Sequence, residues 1–137
     1  MSALKGGILS DILIALLLIV GLQIKHFIGD FVLQTPWMLN NRRYYGHPGG
    51  LSHAGVHMAL SVIVLAVAGT PPGFLVGLVL AEGLVHYHVD WAKDNISSKQ
   101  KLTPDRQTFW IALGADQGLH HLTYLAMVWV WVEALLA

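Results

Sequence analysis

The sequence predicts an all-α membrane protein, a single domain built as an antiparallel bundle of four transmembrane helices, and three observations carry that prediction. Of 137 residues, 55% are hydrophobic and 12% charged, and the mean hydropathy is +0.57, too apolar for a surface facing water. The apolar residues fall into four long runs separated by polar or turn-forming segments. Each run carries two histidines or a histidine and an aspartate four residues apart, and on a helix that spacing puts both side chains on one face.

The first helix is expected over about 8–34. It contains His26, Asp30 and Gln34 at its end, and at ~1.5 Å per residue it exceeds a ~30 Å hydrocarbon core. Lys5 ahead of an apolar run resembles a signal peptide, but no small-residue cleavage site follows and further apolar runs do, so the segment reads as a membrane helix. Thr35-Pro36 ends it, because a residue before proline is pushed out of helical geometry. A loop from Trp37 to Gly50 follows, with aromatics suited to the headgroup level. Ser52 is the expected N-cap of a second helix over about 52–68, carrying His53 and His57. After the turn Gly69-Thr70-Pro71-Pro72-Gly73, a third helix over about 74–92 carries Glu82, His86 and Asp90. Thr103-Pro104-Asp105 is the expected start of the fourth, about 105–136, with Asp116 and His120. Gly21, Gly29, Gly55, Gly77, Gly83, Gly114 and Gly118 read as close-packing positions between helices.

Charge placement predicts orientation. Arg42 and Arg43 lie in the first loop, and Lys93, Lys99, Lys101 and Arg106 lie in or beside the third, whereas the middle turn has no cation. The positive-inside bias puts loops one and three in the cytoplasm and both termini in the periplasm, with Lys5 the one opposing charge. In that topology all four pairs fall at one level near the cytoplasmic leaflet. Lysine plus arginine equals aspartate plus glutamate, eight each, so no basic field exists to recruit nucleic acid. There is no cysteine, so a metal would take nitrogen and oxygen ligands.

Imidazole and carboxylate suit zinc, manganese or iron, and inward-facing pairs on four helices are how bundles build dinuclear sites. The eight expected ligands are His26, Asp30, His53, His57, His86, Asp90, Asp116 and His120, enough for one or two ions. Taken singly, each histidine is more simply a core group satisfied by a neighbouring helix. Four pairs with three carboxylates are not, since each carboxylate at lipid depth costs ~3 kcal/mol on insertion scales. Asp30 and Glu82 are the expected bases, Glu82 being equally readable as a ligand or a buried partner. Lys93 is the expected anion-binding cation, although snorkelling to the interface is its commoner fate. Gln34 and Gln117 could orient ligands or bond to backbone. His47, His88 and His121 fall off the ligand faces.

The motifs His26-x-x-Gly29-Asp30-Phe31-x-Leu33-Gln34, His53-x-x-x-His57, His86-x-x-x-Asp90-x-x-Lys93 and Asp116-Gln117-x-x-His120 resemble domain-of-unknown-function family 3307 (DUF3307), small bacterial integral membrane proteins. The resemblance runs from Lys25 to His120 and implies a bacterial inner-membrane protein without implying an activity. His88 and His121 are additions to the family pattern. More loosely, the pattern is similar to membrane-bound metal-dependent hydrolases, and its His-x-x-x-Asp pairs are similar to helical zinc phospholipase and nuclease sites. The expected function is therefore metal-dependent hydrolysis of a lipid or lipid-linked (phospho)ester. The alternatives are divalent-cation or proton transport, a metal that only staples the fold, and, less well matched by three carboxylates, haem. A homo-oligomer or a membrane-protein partner is compatible with all of these.

Overall fold

The computed structural model describes the backbone of residues 2–136 and the side chains of residues 10–136. The described residues are helical throughout their ordered elements, with no strand. Helix α1 (Ser2–Phe27) runs into a π-helical turn (Ile28–Val32), followed by the short α2 (Pro36–Asn41) and then α3 (Pro48–Val67), α4 (Pro72–Lys99) and α5 (Gln107–Leu135). Helices α1, α3, α4 and α5 close a ring, in which α3 packs on α1 and α4, and α5 on α4 and α1.

Among the described residues three helices are long and apolar enough to cross a membrane: Ser10–Val32, Pro48–Val67 and Pro72–Lys99. The chain is a helical membrane protein. Helix α5, the expected fourth span, is 29 residues long but is not one of the three, and Gln107, Asp116, Gln117, His120 and His121 interrupt its apolar sequence.

Several helix boundaries differ from expectation, each for a local reason. The N-cap of α3 is His47 and not Ser52: Pro48 is preset for the first helical position, and His47 Nδ1 accepts from the Gly49 N–H at 3.0 Å. Part of the expected first loop is α2, where the Thr35 hydroxyl accepts from the Met38 N–H at 3.3 Å and Pro36 starts the helix. Helix α4 continues past residue 92 to Lys99. The polar run Asp94-Asn95-Ile96-Ser97-Ser98 reads as loop on composition, yet tertiary contacts hold it helical. Asn95 Nδ2 donates to Arg43 O at 2.8 Å, and Arg43 donates to Ser98 Oγ at 3.0 Å. Helix α5 accordingly starts at Gln107, two residues late, after a turn at Pro104 and Asp105.

The interior is set by one stripe on each long helix, read at intervals of four. These are Leu18-Leu22-His26-Asp30, His53-His57-Ser61-Leu65, Leu78-Glu82-His86-Asp90 and Asp116-His120-Tyr124-Val128; all are buried except Asp30, which is half-buried. The polar end is C-terminal on α1 and α4 and N-terminal on α3 and α5. The polar ends therefore meet only because successive helices run in opposite directions. At the other end Leu18, Leu22, Leu65, Leu78, Val79, Met127, Val128 and Trp131 form an apolar core, closed by a hydrogen bond from Trp131 Nε1 to Thr70 Oγ1 at 2.7 Å. The outer surface is apolar: Leu13, Leu17, Ile24, Phe31, Ile63, Leu84, Ile111 and Trp129 are all more than half exposed. Charged side chains inside and large apolar ones outside suit hydrocarbon solvent.

Of the seven glycines expected at helix contacts, Gly21, Gly29 and Gly83 abut a neighbouring helix through Val64, His57 and Met58, whereas Gly55, Gly77, Gly114 and Gly118 have open space where a Cβ would stand. A Cβ on Gly29 would run into the His57 ring, but one on Gly83 would meet only the flexible end of Met58. Gly29→Ala is therefore expected to displace the His57 ring and lower the unfolding temperature. Gly83→Ala is expected to be near neutral by thermal unfolding in detergent, and equal effects from the two would contradict this packing.

Candidate metal centre

Asp30 lies in the π-helical turn, where the Leu33 N–H donates to Ile28 O at 2.9 Å, five residues back. Such wide turns are rare and recur at functional sites. Here Asp30 reaches both neighbouring walls. Its Oδ1 lies 3.3 Å from His53 Nε2 and 3.1 Å from His57 Nε2 on α3. Its Oδ2 accepts from Gln117 Nε2 at 3.0 Å and lies 3.2 Å from His26 Nε2.

Across the ring, Asp90 collects the other imidazoles. Its Oδ2 is 3.0 Å from His53 Nε2 and 3.4 Å from His86 Nε2, and its Oδ1 is 3.4 Å from His120 Nε2. Among the described residues two groups could each hold a metal ion: Asp30 with His53, His57 and His86, and His86 with Asp90 and His120, the ligand atoms of each lying within 4.8 Å of one another. His86 belongs to both. Its ring stands 3.9 Å from that of His57 and 4.2 Å from that of His120, centre to centre.

The structure thus brings together six of the eight expected ligands and sets two beside them. His26 spends both ring nitrogens on protein: Nδ1 accepts from the Tyr124 hydroxyl at 2.9 Å, and Nε2 faces Gln117 Oε1 at 3.1 Å as well as Asp30. It orients Asp30, as an outer group orients a ligand. Asp116 stands at the edge, its Oδ1 3.6 Å from His120 Nε2. Gln117, bonded to His26, Asp30 and Asp116, ties these flanking groups together. Gln34 donates to Asp30 O at 3.0 Å and accepts from Arg42.

Of the expected catalytic groups, only Asp30 is in the cluster. Glu82 lies one turn deeper, ion-paired with Lys25, whose ammonium also stands 4.5 Å over the Tyr124 ring. Lys25 and Glu82 are almost wholly buried, at 3% and 1% exposure. Lys93 pairs with Asp94 at 3.0 Å, outside the cluster. His88 Nδ1 donates to Leu84 O at 2.7 Å and its Nε2 accepts from the Tyr45 hydroxyl at 3.1 Å on the exposed side of α4, and His121 is exposed.

Sequence reasoning passed over three members of the site. Lys25 and Tyr124 supply the floor with Glu82. Lys25 was legible as an intramembrane cation needing an anion, but only the fold selects Glu82. The third is Arg42, expected as a cation of the first loop and found buried over the cluster. Its Nη1 contacts Gln34 Oε1 at 2.9 Å, Asp90 Oδ2 at 3.2 Å and His53 Nε2 at 3.3 Å, and its Nε donates to Asp94 Oδ2 at 2.7 Å. Burial alone would lower the Arg42 pKa, but the charges of Asp90 and Asp94 outweigh it and raise the value, so the guanidinium stays charged. Arg42→Lys keeps the charge and loses the planar fork. It is expected to speed amide hydrogen exchange over residues 36–42 while leaving α3 and α5 protected, and unchanged exchange would show that the fork does not hold α2.

Fold and site together define a class: a helical membrane protein with a buried His/Asp cluster competent to hold metal. The chain belongs to the DUF3307 family, described as proteins of unknown function, whose pattern it matches over residues 12–136. No curated protein and no solved structure matches it.

Proposed function

We propose that this protein is a metal-dependent hydrolase of the bacterial inner membrane. In this reading four transmembrane helices hold one or two zinc-class ions near the cytoplasmic leaflet, and the substrate is a lipid or lipid-linked phosphoester. The observation that carries it is His86, 1% exposed, with neither ring nitrogen hydrogen-bonded. The carboxylate of Asp90 stands 3.4 Å from its Nε2; a buried imidazole held no closer than that is costly, and a cation shared with the facing ligands would satisfy it. Spacing agrees, because a tetrahedral site with bonds of ~2.0–2.1 Å has ligand edges of about 3.3 Å. The observed nitrogen–oxygen separations are 3.1–3.4 Å around Asp30 Oδ1 and Asp90 Oδ1.

A zinc-class ion here would polarise a phosphoryl oxygen and bring a water toward neutral pKa; manganese or iron would fit the same donor set. The chain's own part follows from the geometry. Asp30, the least buried member at 11%, is the carboxylate that a substrate could reach and the best-placed proton acceptor. Arg42 holds positive charge on the loop side, where a phosphate would arrive. The Lys25–Glu82 pair and the apolar core beneath it close the other side, which favours a one-sided reaction site over a transport path. Helix α5 buries Asp116 and His120 and exposes Ile111, Leu119, Leu122, Leu125 and Trp129 alongside His121 and Glu133, a mostly apolar outer face that suits a fourth span. The positive-inside bias of the loops supports cytoplasmic placement.

The test is hydrolysis of phospholipid and lipid-phosphate substrates by protein reconstituted in vesicles. Turnover is expected with zinc or manganese, to vanish with chelator and to return on metal addition. Protein that carries metal yet cleaves none of these substrates would leave the centre standing and reject the hydrolase.

A further inference from the structure

Between α4 and α5 lies a groove of about 540 Å³, within the range of small-molecule sites. Its walls are apolar: Val89, Ala92 and Ile96 from α4, and Ile111, Ala112 and Ala115 from α5. Its inner wall reaches Asp116, which is 4% exposed and whose Oδ1 has no hydrogen-bond partner. That oxygen is 3.6 Å from His120 Nε2, so the groove borders the metal centre. Its outer rim carries Lys93, Gln100 and Thr108.

Two further features narrow the occupant. Helix α4 continues nine residues beyond Asp90, to Lys99, about 13 Å of helix at ~1.5 Å per residue. With the cluster at headgroup level, this length carries an apolar groove past the hydrocarbon, where it would be wetted unless filled. The lining carries Lys93, which pairs with Asp94 at 3.0 Å, and the chain that follows α4 adds Lys99, Lys101 and Arg106 against Asp105, so the charge on this side is net positive. A partner helix would satisfy the apolar walls but not that rim.

We propose that this groove binds one acyl chain of an anionic phospholipid, its phosphate at the cationic rim and its chain laid along α4 and α5 beside Asp116. The inference deepens the hydrolase reading and rests on it only for the depth of the groove and for the bound lipid being substrate. Occupancy itself needs neither turnover nor metal.

The full chain is reconstituted in phosphatidylcholine vesicles doped with phosphatidic acid that carries a photoreactive diazirine on one acyl chain. Diacylglycerol with the same diazirine is the uncharged control. Phosphatidic acid is expected to label residues 89–119, to be competed by unlabelled phosphatidic acid, and to lose this labelling in Ala115→Trp. Ala115 is exposed, so the indole fills the groove without entering the core; Ala112→Leu is the milder second variant. Val67→Trp, in the uncharged groove between α1, α3 and α5, is expected to change nothing. Equal labelling by diacylglycerol, labelling spread evenly over the helices, or labelling that survives both groove variants would overturn the proposal. So would a dimer that Ala115→Trp dissociates, which would give the groove to a second copy of the chain. Metal content of the same samples reports on the centre separately: metal present without selective labelling sinks the groove alone, and selective labelling without metal sinks the metal centre alone.

Discussion

On the proposed function, alanine in place of His86 is expected to remove most of the divalent metal, with affinity falling by more than the ~10–100-fold that loss of an orienting outer group costs. His86 is shared by both ligand groups, so its loss damages every ion the cluster holds. His57→Ala touches only the group around Asp30, and His120→Ala only the group around Asp90. If two ions are present, elemental analysis of detergent-purified protein should show each of these variants losing one, and His86→Ala losing both. If one is present, one of the two variants should keep it. Asp90→Ala adds a second effect, because it removes the carboxylate that faces Arg42. Unchanged metal in His57→Ala, His86→Ala and Asp90→Ala together would refute the shared centre.

The second large effect is expected beneath the centre, at Lys25 and Glu82. Removing one member of a buried ion pair leaves the other charged and unpaired, which costs about 3–5 kcal/mol, whereas replacing both by apolar residues of similar volume is often neutral. Lys25→Met and Glu82→Met should each lower the unfolding temperature in detergent sharply, and the double variant should recover most of the loss. Because Lys25 also stands over the Tyr124 ring, the double variant keeps an apolar contact there. The pair lies below the ligands, so the double variant should retain metal. If it loses metal while regaining stability, the pair belongs to the centre's chemistry; if each single variant is as stable as wild type, it holds nothing together.

Where the sequence was readable, intrahelical spacing made it so. His53 and His57, or His86 and Asp90, share a face on any helix, and six of the eight residues picked out by that rule meet in the two ligand groups. Spacing could not rank them. His26 and Asp30 satisfy it equally, yet His26 is consumed by Tyr124 and Gln117 while Asp30 joins His53, His57 and His86 in one ligand group. Helix ends were read less well, because composition sees residues singly: the segment after residue 92 looks like loop until Arg42 and Arg43 dock on it. Glu82 shows the same limit, since three roles fitted its position and a lysine 57 residues away decided between them.

The sequence by itself determined that the chain is helical, that it lives in a membrane, and which four stripes face inward, because each follows from composition or from a period of about 3.6 residues along one rigid element. The tertiary structure alone decided that His86 joins two ligand groups, that Lys25 answers Glu82, and that Arg42 caps the cluster. Those pairings depend on how far each helix is rotated and slid against its neighbours, and the i, i+4 pattern is unchanged by either motion.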